Sequence, residues 1–411
     1  VQEVEPGSTL TLNISGRYVE GAEPALLQRL FGQAERPFVG LLSELEKARR
    51  DDRLAAVVLR IGTLGIGWGK AAEMREAIQA LAKAGLRVVA LLELETFGAN
   101  MEYYVASAAS EVYAAPATHA PVVGLAGEYL FLGGLFERFG VDVFVERIGR
   151  YKSAGETLGA KEMSEANREM VESLIDSLND EFIQAIASSR KLSPELVRAA
   201  IDAAPVKSSE MIELGLLDGV YFLDELLDEI DPGAAQLDGD EYALVDPETV
   251  GFLPEKRFAL VYGSGNVVLG RGNVSPMGGQ VMASATVSEA LLDAAEADDI
   301  DAIIFRIDSP GGSPLASDEI WRAVERVKAE GKPVIASFSD VAASGGYYSA
   351  AGATAILAPP GTLTGSIGVL VVRPVLGGLF DKYDIGVETL TRGRHADLQL
   401  ASRHPSAASL A

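Results

Sequence analysis

Two apolar runs decide the fold: AAVVLRI at residues 55–61 and DAIIFRI at residues 301–307. Each is short, rich in β-branched residues and followed within a few positions by glycine, the pattern of a strand buried on both faces of a parallel sheet. Downstream of both runs the two sequences stay in step. EMREAIQALAKAG from Glu73 matches EIWRAVERVKAEG from Glu319, each with the spacing of an amphipathic helix. RVVALLEL then matches PVIASFSD, and Tyr103-Tyr104 matches Tyr347-Tyr348. The register holds through VYAAPATHAPVVG and ILAPPGTLTGSIG to LGGLFERFGV and LGGLFDKYDI, at a constant offset of 244 residues, 347 against 103 and 376 against 132. Chance similarity between apolar strands does not keep register this long, so the chain is an internal duplication.

Strands alternating with amphipathic helices predict an α/β fold of two tandem βαβ repeats, each with a parallel sheet. The Pro-, Gly- and Asp-rich segment from Pro232 to Gly251 reads as the linker, which divides the chain into an N-terminal repeat, 1–250, and a C-terminal repeat, 251–411. Three helices are expected after the first copy, near 164–190, 193–203 and 208–229, with serines at their N-caps. The second copy reaches Ala411 before any such helices, which reads as truncation. The start at Val1, without a methionine and in a polar segment, fits a signal or anchor segment that has been removed or left outside this sequence, and its absence decides nothing. The uncharged stretch 341–372 exceeds a membrane span in length, but Pro359, Pro360 and several glycines would break a spanning helix, so it reads as core.

Composition removes several chemistries. Of 411 residues, 48% are hydrophobic, enough for substantial cores. Acidic residues number 59 against 35 basic, a net charge of −24, and no stretch gathers Lys and Arg, so nucleic acid is not an expected partner. The absence of cysteine rules out disulfides, thiolate metal sites and a thiol nucleophile. Three histidines, His119, His395 and His404, are too few for a histidine metal cluster, and no metal or cofactor is called for.

A duplicated core can keep its packing in both copies while a reactive site needs to exist once, so the polar positions where the copies diverge are the candidates. FGANMEYY aligns with VAASGGYY, placing Asn100 opposite Ser344, and RIGRYKSA aligns with TRGRHADL, placing Lys152 opposite Ala396. Ser344 is expected at a strand-to-helix turn with unsatisfied backbone N–H groups nearby, and it reads either as a nucleophile or as a plain N-cap. Asp308-Ser309-Pro310-Gly311-Gly312 comes directly after a strand and has no Pro-Gly-Gly counterpart in the first copy. Gly311 or Gly312, with Gly345, could supply the two donors of an oxyanion hole. His119 and His395 fall opposite Leu363 and Tyr151, away from any site-like segment, and read as structural; Lys152 reads either as a base or as an ordinary surface lysine. A lysine can accept a proton only when burial or a nearby cation lowers its pKa, and Lys152 sits among small and apolar neighbours.

FRIDSPGG, SDVAASGGYYSAAGA, PPGTLTGSIGV and GRYKSAGE closely resemble the long, duplicated form of the bacterial signal peptide peptidases, the protease IV type of the S49 serine peptidases in the ClpP/crotonase superfamily. The resemblance covers nearly the whole chain. It implies Ser344 as nucleophile, Lys152 as general base and Ser366, opposite Val122, as the hydroxyl that orients the lysine. It also implies hydrophobic peptide substrates such as released signal peptides, and a bowl-shaped homo-oligomer with a tetramer as one candidate. Membrane association through a segment outside this chain, in the bacterial cell envelope with the soluble part extracytoplasmic, is implied by the same resemblance. Family members of the long form run on past a position like Ala411. Two rivals stay open at this point, a crotonase-like acyl-CoA enzyme and a non-catalytic scaffold of the same fold.

Overall fold

The computed structural model describes residues 4–21, 36–253, 255–272, 274 and 279–410. Two compact units emerge, and they cut across the two copies: Val1–Leu125 with Leu178–Gly365, and Ala126–Ser177 with Ser366–Ala411. Each copy gives its sheet to the first unit and its LGGLF segment to the second.

In the first unit the first copy builds a six-stranded sheet, ordered Gly219–Val220, Glu111–Ala114, Arg87–Leu92, Leu54–Leu64, Ser8–Gly16 and Gln236–Asp238, parallel throughout. The second copy builds the other sheet, Phe258–Ser264, Ala302–Ser309, Val334–Ala343 and Ala355–Leu357, with Leu363–Gly365 pairing further along Val334–Ala343 and again all parallel. The continuous apolar runs are explained by burial: Val57, Val58, Leu59 and Ile61 are fully enclosed, as are Ile303, Phe305 and Ile307. Helix Pro314–Ala329 starts where the sequence demands, with Ser313 accepting from the Ala316 N–H and Pro314 in the first turn. It then buries Ala316, Ile320, Ala323, Val324 and Val327 along one stripe.

The segment read as a linker is part of the first sheet. Gln236–Asp238 pairs with Ser8–Gly16, and the buried Lys47 ammonium donates to the carbonyls of Tyr242 (2.6 Å) and Val245 (3.2 Å). Its Gly and Asp residues mark the tight corners around a three-residue strand. Of the expected helices, Glu165–Arg190 and Pro194–Ala203 form, with Ser193 capping the latter. The third divides into Ser208–Glu213 and Leu223–Ile230 because Gly219–Val220 joins the sheet edge between them. Its N-cap is Lys207 and not Ser208.

Within the first unit the two copies meet through buried charge. The N-terminal turn of helix Trp68–Lys83 approaches strand Val334–Ala343 so closely that Asp340 caps it, accepting from the N–H groups of Gly67 (3.0 Å) and Lys70 (2.8 Å). The Lys70 ammonium donates to Asp308 (2.6 Å) and to Asp340 (2.7 Å). Arg306 forms ion pairs with Glu20 (2.7 Å) and Glu73 (2.8 Å). Such pairs add little net stability over an apolar contact, but deleting one partner strands the others at a cost of about 3–5 kcal/mol.

The second unit contains what the all-parallel expectation missed, an antiparallel pair of Asp142–Arg147 with Leu370–Val375. The two strands come from non-equivalent places in the repeats. Helices Gly133–Arg138 and Gly377–Lys382, which do correspond, lie in the same unit, and the Lys382 ammonium donates to the Arg138 carbonyl.

Candidate active site

Ser344 stands between strand Val334–Ala343 and the short helix Gly345–Ala350, as the sequence predicts. Its backbone is at φ 51°, ψ −115°, an uncommon conformation for a residue with a side chain. The strain is held by the Ser344 N–H donating to the Gly365 carbonyl (2.9 Å) and by the Tyr348 N–H donating to the Ser344 carbonyl (2.9 Å). The Ser344 side chain makes no capping hydrogen bond to the helix.

The Pro-Gly-Gly turn packs directly behind this residue. A Cβ on Gly311, at φ 99°, would lie 2.5 Å from the Gly345 nitrogen and 2.8 Å from the Ser344 Cβ. The Gly311 N–H donates to Ser309 Oγ (3.2 Å), while Gly311 offers its carbonyl to the Val267 N–H (3.0 Å). Gly312 and Gly345 are close neighbours: a Cβ on Gly345 would lie 3.1 Å from the Gly312 nitrogen. A side chain on Gly312 would collide with the Val267 carbonyl, so glycine is required there for the approach of two backbones.

In the second unit, Lys152 is 5% exposed and lies in the turn after strand Asp142–Arg147. That turn is fixed from below by buried polar groups. Arg147 donates to Glu156 (2.6 Å), Ser164 and Asn167 donate to the same carboxylate (2.8 and 3.1 Å), and the Ser153 hydroxyl donates to Asn167 (3.0 Å). Burial works against the Glu156 charge, but the hydrogen bonds from Arg147, Ser164 and Asn167 outweigh it and hold this carboxyl below its ordinary range. The Lys152 ammonium donates to the Ser366 carbonyl and, at 3.0 Å, to Ser366 Oγ, both uncharged oxygens. Ser366, like Ser344, has φ 51°. Desolvation pushes the Lys152 pKa down from its ordinary value.

Lys70, a buried lysine of the first unit, behaves in the opposite way. Burial again opposes the charge on Lys70, but Asp340 and Asp308 outweigh it, and its pKa is raised. Environment therefore separates them: charge is disfavoured on Lys152, as on the buried Lys47, and favoured on Lys70. Lys70 and its carboxylates were not singled out in the sequence. The available signal was a charged residue in the first turn of a helix, opposite Ala316 of the second copy. The histidines lie elsewhere: His119 bridges to Glu95, His404 pairs with Asp142 (2.6 Å), and His395 faces Ser409 (3.3 Å). No cluster of metal-ligating side chains exists among the described residues.

The family model of Peptidase family S49 matches residues 80–237 and 326–409. Serine protease SPPA, chloroplastic, of Arabidopsis thaliana is 35% identical over 414 residues, spanning 98% of this chain and 59% of that protein. Protease 4 of Salmonella typhi is 28% identical over 395 residues, spanning 90% of this chain and 60% of the relative. The chain thus spans about three fifths of the length of these curated relatives. Among solved structures, a 1510-N membrane-bound stomatin-specific protease in complex with a substrate peptide aligns at 13% identity and a TM-score of 0.31, over 54% of this chain and 80% of that one.

Proposed function

The chain belongs to peptidase family S49, and from that premise we propose that it is a serine endopeptidase in which Ser344 is the nucleophile and Lys152 the general base. The observation that carries this reading is the setting of Lys152, buried against the uncharged oxygens of Ser366, where desolvation lowers its pKa. The acyl-CoA and scaffold alternatives gain no support from the family.

In the first step the neutral Lys152 amine takes the Ser344 hydroxyl proton as Oγ bonds to the peptide carbonyl carbon, and the carbonyl electron pair moves onto oxygen. The N–H groups of Gly312 and Gly345 receive that oxyanion, while Gly311, its own N–H engaged by Ser309, shapes the turn. The tetrahedral adduct collapses, the C–N bond breaks, and the leaving amine takes the proton from Lys152. Water, deprotonated in turn by Lys152, attacks the ester and returns the hydroxyl to Ser344. Ser366 holds the lysine in line through the bond its hydroxyl accepts.

The domain assignment that accompanies this reading gives 1–250 the base and 251–411 the nucleophile. The substrate class is hydrophobic peptides such as released signal peptides, handled inside a bowl-shaped homo-oligomer. Among the described residues no helix is long and apolar enough to cross a membrane; association with the cell envelope would come from a segment outside this chain. A fluorophosphonate probe tests the chemistry. Wild-type protein should be labelled, and Ser344→Ala and Lys152→Ala should each lose labelling by about a thousandfold or more. If both variants label like wild type, the dyad is wrong.

A further inference from the structure

We propose that Lys70 is a positioning residue for this reaction: as a buried cation contributed by the first copy, it sets the spacing between the two strands of the second copy that end in the oxyanion turn and in Ser344. The inference rests on the peptidase reading above.

The strands Ala302–Ser309 and Val334–Ala343 pair in regular register up to Ile307 opposite Phe338 and resume with Ser309 opposite Ala342. Asp308 alone therefore faces Ser339, Asp340 and Val341. This is a bulge with two extra residues, and bulges of this kind bend a strand and re-aim the residues beyond them. Beyond this one lie Gly311-Gly312 on one strand and Ser344 on the other. A bulge forfeits ladder hydrogen bonds, and here side chains replace them. The Val341 N–H donates to Asp308 Oδ1 (3.1 Å), and Asp308 Oδ2 and Asp340 Oδ2 both accept from the Lys70 ammonium.

Without the cation, two like-charged carboxylates would face each other across the bulge, left with the backbone N–H groups of Val341, Gly67 and Lys70 as donors. Lys70 is 2% exposed, and its own backbone N–H is bonded to Asp340, so it enters from a fixed direction. Gly69 has no room for a side chain, since a Cβ there would collide with the Ser339 carbonyl; the helix end and the bulge press directly on one another. A displacement of the two strand ends by a fraction of an ångström changes the distance between the Gly312 N–H and the carbonyl attacked by Ser344, a distance to which transition-state stabilisation is steeply sensitive.

The test compares Lys70→Met and Lys70→Arg with wild type on a peptide ester, on a fluorophosphonate and on a peptide boronate, with folded fraction measured for each by thermal melting. Lys70→Met should lower kcat and the labelling rate by about thirtyfold per folded molecule with KM within about twofold, and should weaken the boronate, which needs a formed oxyanion site, by about tenfold or more. Peptide binding on a Ser344→Ala background should be unchanged, and Lys70→Arg should recover part of the loss. Activity that falls only with folded fraction, or a change confined to KM, overturns the inference. Wild type that labels alongside an equally reactive Lys70→Met defeats this inference alone; wild type that never labels defeats the peptidase reading and this one with it.

Discussion

Ser344 and Lys152 differ in how much of their role could be read before folding. Their positions came from a comparison of two aligned copies, because a polar residue that appears in one copy only is visible in a string of letters. Their states did not, since the φ of 51° at Ser344 and the burial of Lys152 belong to the folded chain. The lowered pKa of Lys152 bears on both activity and stability. Below its folded pKa the lysine is protonated folded or unfolded, and burying that charge costs stability; the penalty fades as pH rises from the folded pKa towards the unfolded value near 10.5. Acylation should rise as pH climbs through the folded pKa and level off above it. Lys152→Met should raise the melting temperature at pH 7 by about 2 °C and lose that advantage above about pH 10.5, as measured by calorimetry across pH. A variant less stable than wild type at pH 7 would mean that the ammonium is favourably held.

At the level of elements, alternating strands and helices were legible because burial on both faces writes a continuous apolar run and burial on one face of a helix writes a stripe of period about 3.6 residues. The bulge at Asp308 was not legible, because register is a relation between two strands and neither strand records it alone. The same limit hid the fate of the Pro232 segment, whose Gly and Asp signals describe corners equally well in a linker or at a sheet edge. Close contact between elements leaves only an indirect trace, a glycine. Gly69→Ala would drive a Cβ into the Ser339 carbonyl, and because the obstacle is backbone the helix end must move. A loss of about 2–3 kcal/mol is expected in unfolding free energy, read from the denaturant midpoint. An unchanged midpoint would show that helix Trp68–Lys83 and strand Val334–Ala343 are not pressed together.

At the scale of the molecule the duplication organised the whole reading, yet the compact units cut across it: one holds both sheets, the other the LGGLF segments of both copies. Sequence periodicity reports shared ancestry, whereas compactness reports which surfaces ended up buried together, and the two need not coincide. Because both sheets share one unit with buried ion pairs between them, they should open together. Hydrogen exchange should give slow amides in Leu54–Leu64 and Ala302–Ser309 the same opening free energy, and two well-separated values would refute this. The cap that Asp340 provides for a helix of the other copy bears on descent as well. A single repeat, free of its twin, would have to satisfy its own helix end and neutralise its own Asp308 and Asp340. Once those tasks had passed to the neighbouring copy, loss of either repeat would leave the survivor with charges it could not answer, and the doubling of the ancestral gene became a one-way step.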